Sequence, residues 1–444
     1  MNAEIVTGPR RVAIEESGER FDRSLASRRR SLRAAAVGNI LEWYDWTIYG
    51  MLSTYLAATF FSKVDPTSAL LSTLAVFAAG FVVRPLGGFL FGRLADRKGR
   101  KFTLMATMLL IGGTSAGIGL LPSYQVMGVW AAVGLFLLRS LQGLAHGGET
   151  GVSYVYVAEI APREKRGLWG SSIFVGVTIG IMLATGAAAL LTSQLSPEQM
   201  NEWGWRLPFL LGAVLTVYVM YLRKSAVETE AFKEVAHNRV ARIEEQTIEP
   251  WSFVKIGILI IALLAAMNVW YYTWVTFAPA IAISSYKMDA KSAYVASLAA
   301  QASTIILLPV FGLVSDKIGR RPMMMFYGIA IALLCVPIPA IINNSAWSLY
   351  VAQVIGLSIA AIGLSIYPTL MAELVPAKVR GVGVGLITSL SVAIFGGTAP
   401  YLYAWTKSIN AEWLFQSYII VLAVCTTLAA FVMKETRGMS MRPE

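Results

Sequence analysis

The sequence predicts an all-α membrane protein with twelve transmembrane helices in two six-helix bundles. Three observations carry that prediction. Of 444 residues, 56% are hydrophobic and only 14% charged, whereas a soluble domain carries about 25% charged residues. With a mean hydropathy of +0.61, the apolar excess has to face lipid. Apolar runs of roughly 20 residues, the length that crosses a bilayer core, recur along the chain, without the two-residue alternation of barrel strands. The chain also repeats itself. Gly92, Asp96, Arg97, Gly99 and Arg100 return as Gly312, Asp316, Lys317, Gly319 and Arg320, 220 residues on, and Glu159, Pro162, Arg166 and Gly167 return as Glu373, Pro376, Arg380 and Gly381, 214 residues on. Two unrelated motifs repeating at nearly one offset mark a duplication, which in membrane proteins builds two bundles around a shared site.

The spans run in order over 33–61, 68–91, 103–121, 127–157, 168–192 and 206–222, then 253–280, 293–314, 323–342, 347–371, 382–405 and 413–433. The charged, weakly helical stretch 224–250 joins the two sets. The expected organisation is an N-terminal tail over 1–30, a first bundle over 31–223, the linker with an amphipathic helix over 224–250, a second bundle over 251–434 and a tail over 435–444.

A net charge of +11 would suit nucleic acid, but its placement excludes that reading. Cations crowd the loops after spans two, four, eight and ten, among them Arg93, Arg97, Lys165, Arg166, Arg321 and Lys378. The alternate loops hold little besides Lys63, Lys287, Lys291 and Lys407. This is the positive-inside asymmetry, so both termini are expected in the cytoplasm, with the protein in a bacterial-type inner membrane. Arg28, Arg29, Arg30 and Arg33 fit a juxtamembrane anchor to anionic lipid. The first 27 residues are polar and read as a tail, not a cleavable signal. Cys335 and Cys425 fall inside apolar spans as small hydrophobes, His237 is a solvated loop residue, and no metal-ligand spacing is present.

A charge inside a span is a functional candidate by default. At 1.5 Å rise per residue, Glu42 lies roughly 14 Å deep and Asp45, Arg84 and Arg139 roughly 18 Å deep. Asn39, Glu42, Asp45 and Tyr49 share one helix face, as do Arg139, Gln142, His146, Glu149 and Ser153. Two acids and two arginines therefore meet at one level in the first half. The second half has no charge inside a span and offers Asn268, Tyr271, Tyr272, Gln301, Gln353 and Tyr367 instead. Arginine gives a planar, bidentate carboxylate grip, and histidine titrates near physiological pH. The candidate substrate residues are accordingly Arg84, Arg139, Tyr44, Tyr49, Gln142, Asn268, Tyr271, Tyr272 and Tyr367, and the candidate proton carriers Glu42, Asp45, His146 and Glu149.

The repeated loops suggest a conformational switch. Glycine allows a tight turn, and an aspartate can cap a helix start. Its candidate members are Gly92, Asp96, Arg97, Gly99, Arg100, Glu159 and Arg166, with Gly312, Asp316, Gly319, Arg320, Glu373 and Arg380 in the second half. Gly381, Gly383 and Gly385 belong to helix packing, because no strand precedes them as in a nucleotide loop.

Twelve spans with this glycine–aspartate–glycine–arginine loop after spans two and eight resemble the major facilitator superfamily. Gly38, Asn39, Glu42, Trp43, Tyr44 and Asp45, with Arg139, Gln142, Gly143, Gly147, Gly148 and Glu149, resemble its metabolite:proton symporter family, over roughly 31–434. The resemblance implies proton-coupled import of a small organic acid, a di- or oxo-carboxylate such as 2-oxoglutarate, by alternating access. A ring acid such as shikimate, an aromatic acid or a zwitterion such as betaine is the alternative substrate. A non-transporting nutrient sensor is a reading from another class, for which the tail and linker are short. No nucleophile–base pair or cofactor loop points to an enzyme. The expected partners are the small anion, protons and membrane lipid, with no cofactor other than the coupling proton. A monomer is expected, since one chain holds both bundles.

Overall fold

The structure, a computed structural model, describes residues 39–61, 65–98, 100–147, 154–155, 157–159, 161–225, 250–376, 380–439 and 441. Every regular element among these residues is helical. Helix α1 comprises 39–51 and Ser53–Phe60. Helix α2 is Pro66–Val82, resuming as Arg84–Lys98, followed by α3 (Arg100–Leu120), α4 (Val129–His146), α5 (Arg166–Gln194) and α6 (Arg206–Ser225). In the second half α7 is Pro250–Tyr271, continued by a π turn at Tyr272–Thr276 and by Ala278–Tyr286. Then come α8 (Ala290–Ile318), α9 (Arg320–Leu334), α10 (Ala346–Leu374), α11 and α12 (Glu412–Val432). Helix α11 combines Arg380–Ser391, a π turn at Val392–Gly396 and Ala399–Ser408.

These helices follow the predicted spans closely. The fourth starts late because Gly128, at φ +57°, separates the short helix Tyr124–Met127 from α4. The seventh runs past its predicted end to Tyr286, where Lys287 at φ +55° stops it. Asp65 caps α2 by accepting from Thr67 N–H at 3.0 Å, with Pro66 at the first position. Asp289 caps α8 through Ser292 N–H at 2.9 Å. Of the linker with an amphipathic helix predicted over 224–250, residues 226–249 lie outside the described residues, as does Gly99, while 224–225 end α6 and Pro250 begins α7. Of Gly92, Asp96, Arg97 and Arg100 only the helical backbone is described.

The two halves meet most closely along α5 and α8. A Cβ on Gly167 would lie 2.6 Å from the Gly312 carbonyl oxygen, and one on Gly312 would lie 2.7 Å from that of Gly167. Only hydrogen side chains let the backbones approach this far, as at tight membrane-helix crossings. Beside this contact Asp316, near the end of α8, accepts from Gly167 N–H at 2.7 Å and Leu168 N–H at 2.9 Å. The first N–H groups of a helix have no intrahelical acceptor and concentrate positive charge, so one carboxylate caps a helix of the opposite half.

A charged layer surrounds that cap. Arg320 reaches Asp316 at 2.9 Å and Glu373 at 3.4 Å. Arg166 lies 3.7 Å from Glu373, and Arg380 lies 3.2 Å from Glu159. The segment after α12 closes the layer, its Met439 carbonyl accepting from Arg166 at 2.6 Å and its Met441 carbonyl from Arg380 at 3.1 Å. Burial pushes the Glu435 carboxyl up, but backbone N–H donors from Arg320, Arg437, Arg321 and Thr436 outweigh it and hold the group below its usual range. Its contribution is therefore present above the ordinary carboxylate range and is lost as pH falls through the lowered value.

The other end is open. A cavity of about 1240 Å³ separates the halves there, lined among others by Ser53, Thr67, Leu70, Phe277, Lys287 and Tyr403. Aromatic contacts floor it, with Phe77 5.0 Å from Phe277 and Phe81 5.2 Å from Tyr272. The Tyr294 hydroxyl donates across the halves to the Met51 carbonyl at 2.6 Å.

The close α5–α8 crossing makes a direct prediction. Gly312→Val forces the backbones apart at a cost of about 2 kcal/mol. Maleimide labelling of a Thr369→Cys reporter, in a Cys335→Ser, Cys425→Ser background, then rises about tenfold as the capped end opens.

Candidate functional site

Helices α2 and α4 are pressed together by glycine. A Cβ on Gly143 would strike the Gly80 carbonyl, one on Gly87 the Leu144 carbonyl, and one on Gly147 the Arg84 carbonyl. This approach sets the two arginines beside α1. The α2 break at Val83 leaves Arg84 to begin the second segment. Its guanidinium stacks 4.1 Å from the Trp46 ring centre and 4.5 Å from that of Phe81. Arg139 stacks on the same Trp46 at 3.6 Å and near Tyr49 at 4.5 Å. Arginine over an aromatic face keeps a favourable electrostatic contact away from water.

Residues three and four apart on a helix share a face, which assembles two polar groups here. Arg139 donates to Gln142 Oε1 at 2.5 Å and to the Trp46 carbonyl at 3.4 Å. The Gln142 amide and the Ser115 hydroxyl both donate to Asp45. Gln142 thus links the buried aspartate to the buried arginine. One turn along, Glu42 Oε1 lies 2.9 Å from His146 Nδ1.

Between the halves is a small enclosed cavity of about 40 Å³. The first half supplies Trp43, Arg84, Tyr154 and Phe174, and the second supplies Asn268, Tyr271, Tyr272, Tyr367, Thr388 and Ser389 with apolar neighbours. Among the described residues, Arg84 is the one charged side chain in that lining. Edge-on aromatic pairs close it, with Trp43 5.8 Å from Tyr271 and Tyr154 5.4 Å from Tyr367. Asn268 donates to Ser391 Oγ at 3.0 Å. Arg84 Nε and the hydroxyls of Tyr271 and Tyr272 are buried with no hydrogen-bond partner among the described residues. Buried polar groups are normally paired, so three unpaired donors on residues of one lining make it the candidate site for an acceptor-rich ligand, which the cavity must widen to admit.

Five predicted substrate residues line this cavity: Arg84, Asn268, Tyr271, Tyr272 and Tyr367. The structure turns the other four elsewhere. Arg139 and Gln142 are engaged with the Asp45 group, Tyr44 donates to the Pro208 carbonyl at 2.9 Å, and Tyr49 donates to the Thr73 carbonyl at 3.0 Å. Glu149 lies outside the described residues. The wall residues Tyr154 and Phe174 and the Asp45 partner Ser115 were not singled out in the sequence. Tyr154 follows directly on the polar stripe that ends at Ser153, whereas Phe174 carries no polar signal. Among the described residues no His, Cys, Asp or Glu group has the arrangement to hold a metal ion.

Comparisons agree with this architecture. The family model of the Major Facilitator Superfamily matches residues 35–400. The alpha-ketoglutarate permease of Escherichia coli K12 is 36% identical over 410 residues, covering 92% of this chain and 94% of that relative. The proline/betaine transporter of Salmonella typhimurium is 32% identical over 432 residues, 93% of this chain and 85% of the relative. A proton:xylose symporter bound to 6-bromo-6-deoxy-D-glucose shares the fold, with a TM-score of 0.73 at 15% identity over 92% of this chain and 96% of the other.

The Asp45 group yields a stability prediction. Asp45→Ala leaves the Arg139 cation buried without its acid and lowers stability by about 3–5 kcal/mol. Adding Arg139→Met recovers about 1–3 kcal/mol of that loss, read as thermal unfolding in detergent.

Proposed function

Because the chain belongs to the Major Facilitator Superfamily, we propose that this integral membrane transporter is a proton-coupled symporter. It imports a small organic acid, a di- or oxo-carboxylate such as 2-oxoglutarate, by alternating access. The observation that carries this reading is the donor set of the central cavity. Among the described residues Arg84 is its one charged wall residue, and the unpartnered hydroxyls of Tyr271 and Tyr272 stand in the same lining. Arginine binds one carboxylate through two parallel donors, and the two phenols suit a second carboxylate or a keto oxygen. The permease relative is named for such a substrate.

The transport cycle follows from the two ends. Substrate enters the 1240 Å³ cavity, passes the Phe77–Phe277 and Phe81–Tyr272 floor, and reaches Arg84. The coupling proton is taken up within the group of Glu42, Asp45 and His146, whose acids balance the arginines. Residues 31–223 then rock against 251–434, breaking the Asp316 cap on α5 and the pairs of Arg166, Arg320 and Arg380. The positive-inside pattern supports a cytoplasmic capped end with the wide cavity facing outward, and an inward proton gradient then drives import. One chain supplies both halves and works as a monomer, with the proton gradient as its energy source.

One observation favours a second reading, a zwitterion such as betaine. Trp43, Tyr154, Phe174, Tyr271 and Tyr367 surround the cavity, and aromatic faces hold quaternary ammonium groups. A relative is named as a proline/betaine transporter. Betaine carries a single carboxylate, so with Arg84 holding that group it brings no second acidic or keto group to the phenols of Tyr271 and Tyr272.

Proteoliposomes carrying an inward proton gradient should accumulate labelled 2-oxoglutarate and lose that accumulation to a protonophore. Unlabelled betaine should compete poorly; competition stronger than that of 2-oxoglutarate itself selects the zwitterion. Arg84→Lys keeps the charge but loses the fork, and kcat/KM for anion uptake should fall about 10- to 100-fold.

A further inference from the structure

The two buried acids of α1 face different surroundings. Asp45 looks into the first bundle. Ser115 of α3 and Gln142 of α4 donate to its two oxygens, and a Cβ on Gly212 of α6 would sit 3.2 Å from Oδ1. None of these residues lines the cavity between the halves. Glu42 lies one turn nearer the capped end and pairs with His146, whose ring is fully buried and edge-on to Trp46 at 4.9 Å. Glu42 also lies within electrostatic reach of Arg84, Tyr154 and Tyr272, all three of them cavity walls. Among the described residues, the charged and titratable groups facing the pair include Arg84 from α2, Tyr154 beyond α4 and Tyr272 from α7. Asp45 of α1 and Arg139 of α4 also face His146.

We propose that the Glu42–His146 pair takes up the coupled proton in exchange for Arg84, while Asp45 holds the first bundle together through Gln142, Arg139 and Ser115. The proposal rests on the proton-symport reading above and assigns that reading's proton to one place. The chemistry is short-range. With Glu42 ionised, the ring Nδ1–H donates to the carboxylate. One added proton leaves either a carboxylic acid donating to Nδ1 or an imidazolium beside the carboxylate, and no heavy atom has to leave its place. The coupling runs through charge. In the cavity without substrate, Arg84 is balanced by Glu42. A substrate carboxylate claims the same guanidinium, two anions then share one cation, and the pair gains a proton. Binding of proton and anion strengthen one another by the same factor. One substrate carboxylate enters with one proton, so the local charge is unchanged.

The test separates coupling from transport in proteoliposomes loaded with 2-oxoglutarate. Counterflow reads substrate exchange, and gradient-driven accumulation reads coupling. In Glu42→Gln the ratio of accumulation to counterflow should fall about tenfold or more, whereas in Asp45→Asn both should fall together. A Glu42→Gln protein that accumulates like the parent overturns the proposal, as does an Asp45→Asn protein that keeps counterflow and alone loses accumulation. If Glu42→Gln loses both activities, His146→Phe decides. Removing the ring donor should move the alkaline limb of the uptake profile to higher pH, because the ionised carboxylate loses the group that held it; an unmoved limb also overturns the proposal. Failure of proton symport itself is distinguishable, since the parent protein would then show no dependence on the gradient.

Discussion

A guanidinium taken out of water needs compensation within a few ångströms, and this protein buries two beside one tryptophan. Trp46 carries both Arg84 and Arg139 on its ring system, and the remaining compensation is divided unequally. Arg139 is tied through Gln142 to Asp45 and lies away from the cavity lining. Arg84 belongs to that lining, and among the described residues neither it nor Arg139 has a partner for its Nε. The same residue type thus performs two tasks at one depth, and the difference arises from what α1 and α4 place within reach.

The glycine contacts serve this arrangement. Gly80, Gly87, Gly143 and Gly147 bring α2 and α4 close enough for their arginines to share Trp46. Gly167 and Gly312 do the corresponding work between the halves, where Asp316 caps α5 from across the interface. A cap made between bundles, not within one, ties helix-end electrostatics to conformation. If that end opens, water can solvate the first N–H groups of α5, which offsets part of the cost of losing the cap. An apolar seal of equal area would be more stable and slower to break.

Much of this was legible in the sequence. Span positions followed from apolar run length, and the duplication followed from two short motifs, because lipid and loop chemistry are read one segment at a time. Depth was legible too: a fixed rise per residue put Asp45, Arg84 and Arg139 on one level. Rotation about the helix axis was not. Tyr44 looked like a cavity residue because it adjoins Asp45, and Tyr49 because it shares a stripe with Glu42 and Asp45. Their hydroxyls instead donate to the carbonyls of Pro208 and Thr73. Phe174 gave no signal because a cavity wall of apolar rings and a lipid-facing helix use the same residues. The separate surroundings of Glu42 and Asp45 arise from α3 and α6, whose contributions no pattern on α1 encodes.

Of the three π turns among the described residues, those at Tyr272–Thr276 and Val392–Gly396 have an evolutionary consequence. Such turns hold one residue more than an α turn and cluster at functional sites. A π turn is the form in which a packed helix accommodates one added residue, which bulges without displacing either helix end. Both lie in the second half, beside the side chains that shape the cavity, Tyr271 and Tyr272 on one helix and Thr388 and Ser389 on the other. A lineage that gains or loses such a residue rotates one part of the wall relative to the rest in one genetic step. Ligand preference could diverge by that route while the buried charges of the first half stay as they are.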